Sequence, residues 1–299
     1  MVADLTASSP RIRASLFDGR TPPPDVDRLE FVVPPYTLGA RGLQLALDAP
    51  RLRVVQLLTA GYERVAPLIP DGVVLCNARG VHDASTAELA VALILASLRG
   101  IPDFVRAQQE GAWRHETYPA LADRTVLILG YGSIGEALER RLLPFEVDLI
   151  RVARRTRPGV HAVNDLPALL PRADVVVVLT PLTEQTFHLV DRDFLARMRP
   201  GALLVNVARG AVVDTDALVE AVRGGRLRAA LDVTDPEPLP PDHPLWQLPG
   251  VLISPHVGGD TTAFLPRARK LVVDQVSRYL NGEPLRNVVN GEEAPRPAE

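Results

Sequence analysis

Cysteine is almost missing from this 299-residue sequence. Cys76 is the only one, so no disulfide can form within the chain and no cysteine-based metal cluster can be built. Lysine is as scarce, with Lys270 alone among 33 basic residues, a bias that reads as codon usage rather than an arginine-specific surface. Neither sign of charge dominates. The 33 basic and 36 acidic residues leave a net charge of −3, too little positive field to hold nucleic acid or an anionic membrane. Long apolar runs are missing as well: the longest, Leu89 to Leu98, lies between Glu88 and Arg99 and is about half a membrane span. The opening MVADLTASSP has no basic stretch leading into an apolar one, so no secretory signal is expected there. These absences lead to the expectation of a soluble, cytoplasmic protein. Hydrophobic and charged fractions of 46% and 23% are ordinary for globular chains, which excludes wholesale disorder and collagen-like repeats. The length allows one large domain or two moderate ones.

Proline, by contrast, is abundant at 28 residues and punctuates the chain. Short β-rich runs fall at Val54–Leu58, Val73–Cys76, Thr125–Leu129, Leu149–Val152, Val175–Leu179, Leu203–Val207, Ala229–Val233 and Val251–Ser254. Several are apolar on both faces, as strands covered by helices on either side must be. Helical patterns separate them. Asp83, Ser85 or Thr86 could cap a helix over Glu88–Leu98, and Thr215 or Asp216 precedes Ala217–Val222, with Gly224-Gly225 as its stop. Ile101-Pro102 marks a break, read as a hinge or domain crossing. A long pattern over Thr261–Leu280 reaches back toward the first set of strands, and the tail Glu292–Glu299 reads as disordered. Strand–helix alternation at this spacing predicts parallel α/β sheets.

Thr125–Leu129 runs into Gly130-Tyr-Gly132-Ser133-Ile134-Gly135 and then a helical pattern. A GxGxxG gains meaning from this strand-to-helix context. Gly130 would make the tight turn, Gly132 would admit a pyrophosphate, and Gly135 would let helix pack on strand. The amides of Ser133 and Ile134 would then face phosphate. A glycine-rich turn without ligand is the bland alternative; a Walker-type loop is excluded because no Gly-Lys-Ser/Thr follows. The next strand ends Val152-Ala153-Arg154-Arg155-Thr156-Arg157. Ala153 cannot accept a hydrogen bond from a ribose 2′-hydroxyl, whereas Arg154 and Arg155, with or without Arg157, could pair with a 2′-phosphate. That points to NADP(H) over NAD(H), with a solvated basic loop as the alternative.

Three more segments each follow a strand: Asn206-Val207-Ala208-Arg209-Gly210, Leu231-Asp232 through Glu237, and Ser254-Pro-His256-Val-Gly258-Gly259. With the GxGxxG, they resemble the D-isomer-specific 2-hydroxyacid dehydrogenase family from about Val54 to Asn287. The resemblance implies a Rossmann dinucleotide-binding domain (94–274) inserted into a smaller flavodoxin-like substrate domain (1–93 plus 275–299), both doubly wound. It implies that Arg209 binds the substrate carboxylate and polarises the neighbouring carbonyl. His256 is then the general acid/base, and Glu237 the partner that orients it and supports its charged form. Asp232 corresponds to a position near the nicotinamide carboxamide; Thr180, Val207, Ala208 and Gly258 correspond to cofactor-lining positions. In Leu57–Tyr62, Ala60 and Gly61 resemble a loop whose amides hold the substrate carboxylate, although an ordinary turn reads equally well. Asn77-Ala-Arg79-Gly80 resembles the next loop, with Arg79 either touching substrate or solvated.

Two features depart from the family pattern. Glu146 stands where a glycine is usual, and the segment before Val54 is short and broken by proline, so a trimmed first domain is expected. No regulatory domain is expected after the last helix, unlike the longer phosphoglycerate dehydrogenases, and Glu237 stands where formate dehydrogenases have glutamine. Cys76 reads as a buried small residue rather than a nucleophile. The remaining histidines (His82, His115, His161, His188, His243) show no ligand spacing, so no metal is expected. The resulting expectation is a reductase of small 2-keto acids of the glyoxylate/hydroxypyruvate type, preferring NADP with NAD as the alternative. The resemblance also implies a homodimer through the dinucleotide-binding domain, with the helical segment Leu98–Trp113 corresponding to the region that meets the partner. Two rivals stay open: an NAD-linked dehydrogenase of another 2-hydroxy acid, and a dinucleotide-sensing binding protein without turnover.

Overall fold

The all-apolar strands need cover on both faces, and the chain supplies it in two units. The computed structural model describes residues 5–6, 9–36 and 38–291; the tail expectation at Glu292–Glu299 and the first residues of the opening segment lie outside them. One compact unit comprises residues 1–82 and 262–299, the other residues 83–261.

In the first unit, β1 (Phe31–Val32), α1 (Gly39–Leu47), β2 (Val54–Gln56) and β3 (Val74–Cys76) build a parallel three-stranded sheet in the order β1-β2-β3. The second unit opens with α2 (Asp83–Leu98) and α3 (Ile101–Gln109). It continues through β4 (Thr125–Leu129), α4 (Ser133–Leu142), β5 (Asp148–Ala153), β6 (His161–Ala162), α5 (Leu166–Leu169), β7 (Val175–Val178) and α6 (Arg192–Arg197). It closes with β8 (Leu203–Asn206), α7 (Thr215–Arg223), β9 (Arg228–Leu231) and β10 (Val251–Ile253). Its sheet is parallel throughout and seven-stranded, in the order β10-β9-β8-β7-β4-β5-β6. The chain then returns to the first unit as α8 (Phe264–Asn281).

Each sheet is wrapped on both sides. In the larger, Leu127, Leu129, Val176, Val178 and Leu204 pack toward α6 and α7, while Val126, Ile128, Val175, Val177 and Leu203 pack toward α2 and α4. In the smaller, Val55, Leu57 and Leu75 meet Leu43 and Ala46 of α1, and Val54, Val74 and Cys76 meet Tyr279 of α8. The fold is therefore α/β with two parallel-sheet units, the larger of Rossmann type, and the smaller sheet trimmed to three strands among the described residues.

Several boundaries differ from the sequence expectation. The crossings fall at 82/83 and 261/262 rather than 93/94 and 274/275. The whole of α2 belongs to the larger sheet, because Ala87, Ala90, Leu93, Ile94 and Leu98 all bury against it. Likewise Ala268, early in α8, packs with Ala78 and Val81 in the first unit. The Ile101-Pro102 break is therefore not a crossing. It is a bend of 63° inside the second unit, made at Gly100 (φ 65°), where a Cβ would strike the Tyr118 ring. Pro102 sits in the first turn of α3, where its missing N–H costs nothing. Asp214, not Thr215 or Asp216, caps α7, its carboxylate accepting from the Ala217 amide at 3.0 Å. Ser85 and Thr86 lie inside α2, where their hydroxyls bond Thr261 and the Gly258 carbonyl. The strands β1 and β6, two residues each, are too short for any periodicity to announce. No single helix among the described residues is long and apolar enough to cross a membrane.

Candidate active site

Because every strand of the larger sheet runs the same way, all their C-terminal loops meet one edge. Chain order reverses between β4 and β7, and a parallel sheet opens a crevice at such a switch point. The loop after β4 carries the glycine turn and the loop after β7 carries Thr180. After β8 comes Arg209, after β9 Asp232 and Glu237, and after β10 His256.

The three glycines are required for different reasons. Gly130 has φ 103°, and a Cβ there would lie 2.7 Å from the Leu179–Thr180 backbone. Its amide and that of Tyr131 both donate to the Val152 carbonyl at 2.9 Å, which locks the turn to β5. At Gly135 a Cβ would press on Tyr131, Gly130 and Ile128 at 3.1–3.4 Å, so helix–strand contact needs the glycine. Gly132 is different. Its backbone is extended and no atom of the chain lies within 4 Å of an added Cβ, so neither conformation nor packing accounts for it. It sits directly before the first turn of α4, whose amides have no side-chain cap. Beside this turn the Thr180 hydroxyl is buried without a hydrogen-bond partner. An open cradle at a helix N-terminus, with an orphaned hydroxyl beside it, fits the phosphates of a dinucleotide.

Four arginines lie close to this turn and fall into two pairs. Arg151 is spent on Glu139 through two bonds of 2.7 and 2.6 Å, which holds that carboxyl below its usual range. Arg157 donates to the Tyr131 carbonyl at 2.7 Å, with its guanidinium 5.4 Å from the Tyr131 ring centre. Arg154 and Arg155 are exposed and have no ion pair or hydrogen bond among the described residues. They follow Ala153, the last residue of β5, so two unspent guanidinium groups stand at the position from which a strand end reaches a dinucleotide ribose.

His256 and Glu237 meet: Nδ1 of the imidazole is 2.6 Å from Oε1. With 46% and 41% of their side chains exposed, both stay open to a ligand. The His256 backbone is left-handed (φ 54°), a conformation that costs a non-glycine residue about 1–2 kcal/mol. Asp232 holds it there. Its carboxylate, 3% exposed, accepts from Ser254 Oγ at 2.6 Å, the Val257 amide at 3.0 Å and the Gly258 amide at 2.9 Å. The Asp232 carbonyl takes the His256 amide at 2.7 Å. Three of the roughly four acceptor positions of that carboxylate are thus turned to the His256 loop rather than to a cofactor. The Gly258 amide is committed to the same brace, and a Cβ there would meet Asp232 Oδ2 at 2.9 Å.

Arg209 is half-buried, and one of its guanidinium nitrogens donates to the Ala208 carbonyl at 2.6 Å. Its loop is set by Asn206, whose amide donates to the Arg209 carbonyl at 3.0 Å and whose oxygen accepts from the Ala208 amide at 3.0 Å. Val207 and Ala208 are buried beneath it. Gly210 follows because a Cβ would fall 1.9 Å from the Thr234 carbonyl oxygen. Sequence reasoning assigned no role to Asn206, Ser254 or Gly210. The available signal was a polar residue closing an apolar strand, as Asn206 closes Leu203–Asn206.

In the first unit, the carbonyls of the Ala60–Gly61 loop are turned inward. Asn77 donates to the Ala60 oxygen and the Thr59 hydroxyl to the Gly61 oxygen, both at 2.7 Å. The Ala60 and Gly61 amides donate to no other residue among the described ones. Buried Gln56 and Gln275, bonded at 2.7 Å, stiffen the base of this loop and were not foreseen. Arg79 is exposed, its backbone fixed by Asn77 and Asn287.

The chain is similar to known proteins of one family. Residues 91–258 match the family described as D-isomer specific 2-hydroxyacid dehydrogenase, NAD binding domain. A glyoxylate reductase of Thermofilum pendens is 35% identical over 261 residues, covering 82% of this chain and 76% of that protein. A glyoxylate/hydroxypyruvate reductase B of Pectobacterium atrosepticum is 36% identical, covering 81% and 80%. Among solved structures, a D-isomer specific 2-hydroxyacid dehydrogenase from Xanthobacter autotrophicus Py2, in complex with NADPH and MES, superposes with a TM-score of 0.79 at 32% identity, covering 97% of this chain and 94% of that one. With the glycine turn and the His256–Glu237 pair in place, the chain belongs to the D-isomer specific 2-hydroxyacid dehydrogenase family and is an NAD(P)-dependent oxidoreductase.

Proposed function

We propose that this dehydrogenase is an NADPH-preferring reductase of small 2-keto acids of the glyoxylate/hydroxypyruvate class, with Arg209, Glu237 and His256 as its catalytic group. A bound nicotinamide dinucleotide supplies the hydride. Arg209 binds the substrate carboxylate as a bidentate fork and draws electron density from the adjacent carbonyl. His256 gives a proton to the carbonyl oxygen as it becomes a hydroxyl, and takes it back in the oxidative direction. Glu237 keeps the imidazole turned with Nδ1 inward, so that Nε2 faces the substrate. Ser133 and Ile134 hold phosphate through their amides. The observation that carries the reading is the 2.6 Å His256–Glu237 contact on a partly exposed pair.

The cofactor preference rests on Arg154 and Arg155, unspent beside Ala153. Each charge-assisted bond to a 2′-phosphate is worth about 1.5–3 kcal/mol, roughly tenfold or more in discrimination. Steady-state reduction of glyoxylate, hydroxypyruvate, pyruvate and bulkier keto acids, followed at 340 nm with each cofactor, tests both parts. A higher kcat/KM with NADPH, lost selectively in Arg154→Ala, is expected. Equal use of NADH, or equal loss with both cofactors, sinks the preference. Tight dinucleotide binding without turnover of any keto acid sinks the enzymatic reading. A homodimer is proposed through the second unit, where Ile101, Phe104, Val105 and Trp113 expose apolar surface (46%, 38%, 50% and 96%).

A further inference from the structure

The edge of the larger sheet opposite the site just described carries a charged pocket that the redox chemistry does not use. We infer that it is a second ligand site, built by Arg124, Arg199 and Arg228 for a small tetrahedral dianion of the phosphate class. The pocket has a volume of about 210 Å³, ample for a hydrated oxyanion. Its residues come from the N-terminal ends of four neighbouring strands. Arg124 precedes β4, Asp174 precedes β7, Arg199 to Ala202 lead into β8, and Arg228 opens β9.

Charge in the pocket is unbalanced. Asp174 is its single carboxylate, only 12% exposed, and it is already spent. Oδ1 accepts from Arg124 at 3.1 Å and from Arg199 at 2.9 Å, while Oδ2 accepts from the Thr125 amide at 3.0 Å. Arg228 has no carboxylate partner among the described residues. Its guanidinium reaches only two carbonyls, of Ser97 at 3.2 Å and Gly201 at 3.4 Å. Three guanidinium groups against one carboxylate leave an excess of two positive charges lining one recess, which concentrates positive potential there. The cost shows at Arg228, whose guanidinium is pushed below its ordinary range by burial and then by the charge of Arg124. A dianion would balance the charge and accept from the unused N–H groups of all three arginines.

Strands of four or five residues separate this edge from the glycine turn, roughly 13–17 Å at ~3.3 Å per residue. An occupant therefore does not compete with the dinucleotide, and the site is independent of the proposed substrate. The test is thermal melting of the full chain with saturating dinucleotide, so that the phosphate turn is filled. Inorganic phosphate or sulfate is titrated against chloride at matched ionic strength. Phosphate and sulfate should raise Tm saturably by about 3 °C near tenfold the half-saturating concentration, and chloride should not. Arg228→Gln and Arg199→Gln should each raise the half-saturating concentration about tenfold, a loss of ~1.4 kcal/mol, while Arg154→Ala should leave the response intact. Should Arg228→Gln fail to fold, Arg199→Gln carries the test, because that side chain is 56% exposed. Three results overturn the site: an equal effect of chloride, an undiminished response in the arginine variants, or loss of the response in Arg154→Ala.

Discussion

At the residue scale, a histidine on a left-handed backbone, 2.6 Å from a carboxylate, is a costly arrangement that packing alone does not call for. The use we propose for it is proton transfer, which contributes about 10²–10⁴ in rate. His256→Asn should therefore lower kcat/KM for keto acid reduction by ~10²–10⁴ while dinucleotide affinity stays within about twofold. A variant with full activity would remove His256 from the mechanism. Cys76 behaves oppositely, because burial pushes its thiol up to about 12 from an ordinary 9.0. It should resist thiol reagents in the native protein and react stoichiometrically after unfolding. The sign of the linkage follows: above pH 9 the unfolded thiol ionises while the native one does not, so this residue lowers stability between about pH 9 and 12. The meeting of Glu237 and His256 was legible because each follows a strand inside a recognisable segment. Asp232 was legible as a position but not as a brace, since three bonds to one loop depend on its fold.

At the scale of elements, the glycine turn offers a contrast that separates ligand from fold. Gly132→Ala places its methyl where no protein atom lies, so Tm should hold or rise slightly. Dinucleotide affinity should nonetheless fall by about tenfold or more, because the phosphate loses its close approach to the backbone. Gly130→Ala, with φ 103° and a 2.7 Å clash against Leu179–Thr180, should fail to fold stably. If Gly132→Ala bound dinucleotide normally, the cradle would be only a turn. The departure at Glu146 proves local: it adopts φ 60° in the turn between α4 and β5. Glu146→Gly should then raise stability by up to ~1 kcal/mol, read as an increase in Tm, without changing KM. The strands other than β1 and β6 were legible from their apolar runs, whereas helix starts were not. Asp214, Thr215 and Asp216 are all competent caps, and only the backbone turn before α7 selects Asp214.

For the whole molecule, the exposed apolar residues of α3 and the segment after it fit a face covered by a second copy of the chain. Multi-angle light scattering at micromolar concentration should give twice the mass of the chain, and Phe104→Asp should shift the population toward monomer. A monomeric parent protein would refute the dimer. The sequence by itself determined the α/β class, the discontinuous first unit, the glycine turn between β4 and α4, and the segments that bring Glu237 to His256. Those features are written in local patterns: periodicity, a glycine spacing, and short motifs that follow strands. Tertiary structure alone decided that α2 and the start of α8 fall wholly on one side of each crossing, because that depends on which sheet their apolar faces reach. It also decided that Arg151 and Arg157 are spent while Arg154 and Arg155 are not, and that Arg124, Arg199 and Arg228 gather around one saturated carboxylate. Such balances arise between residues far apart in the chain, where only the parallel register of the strands sets which charges become neighbours.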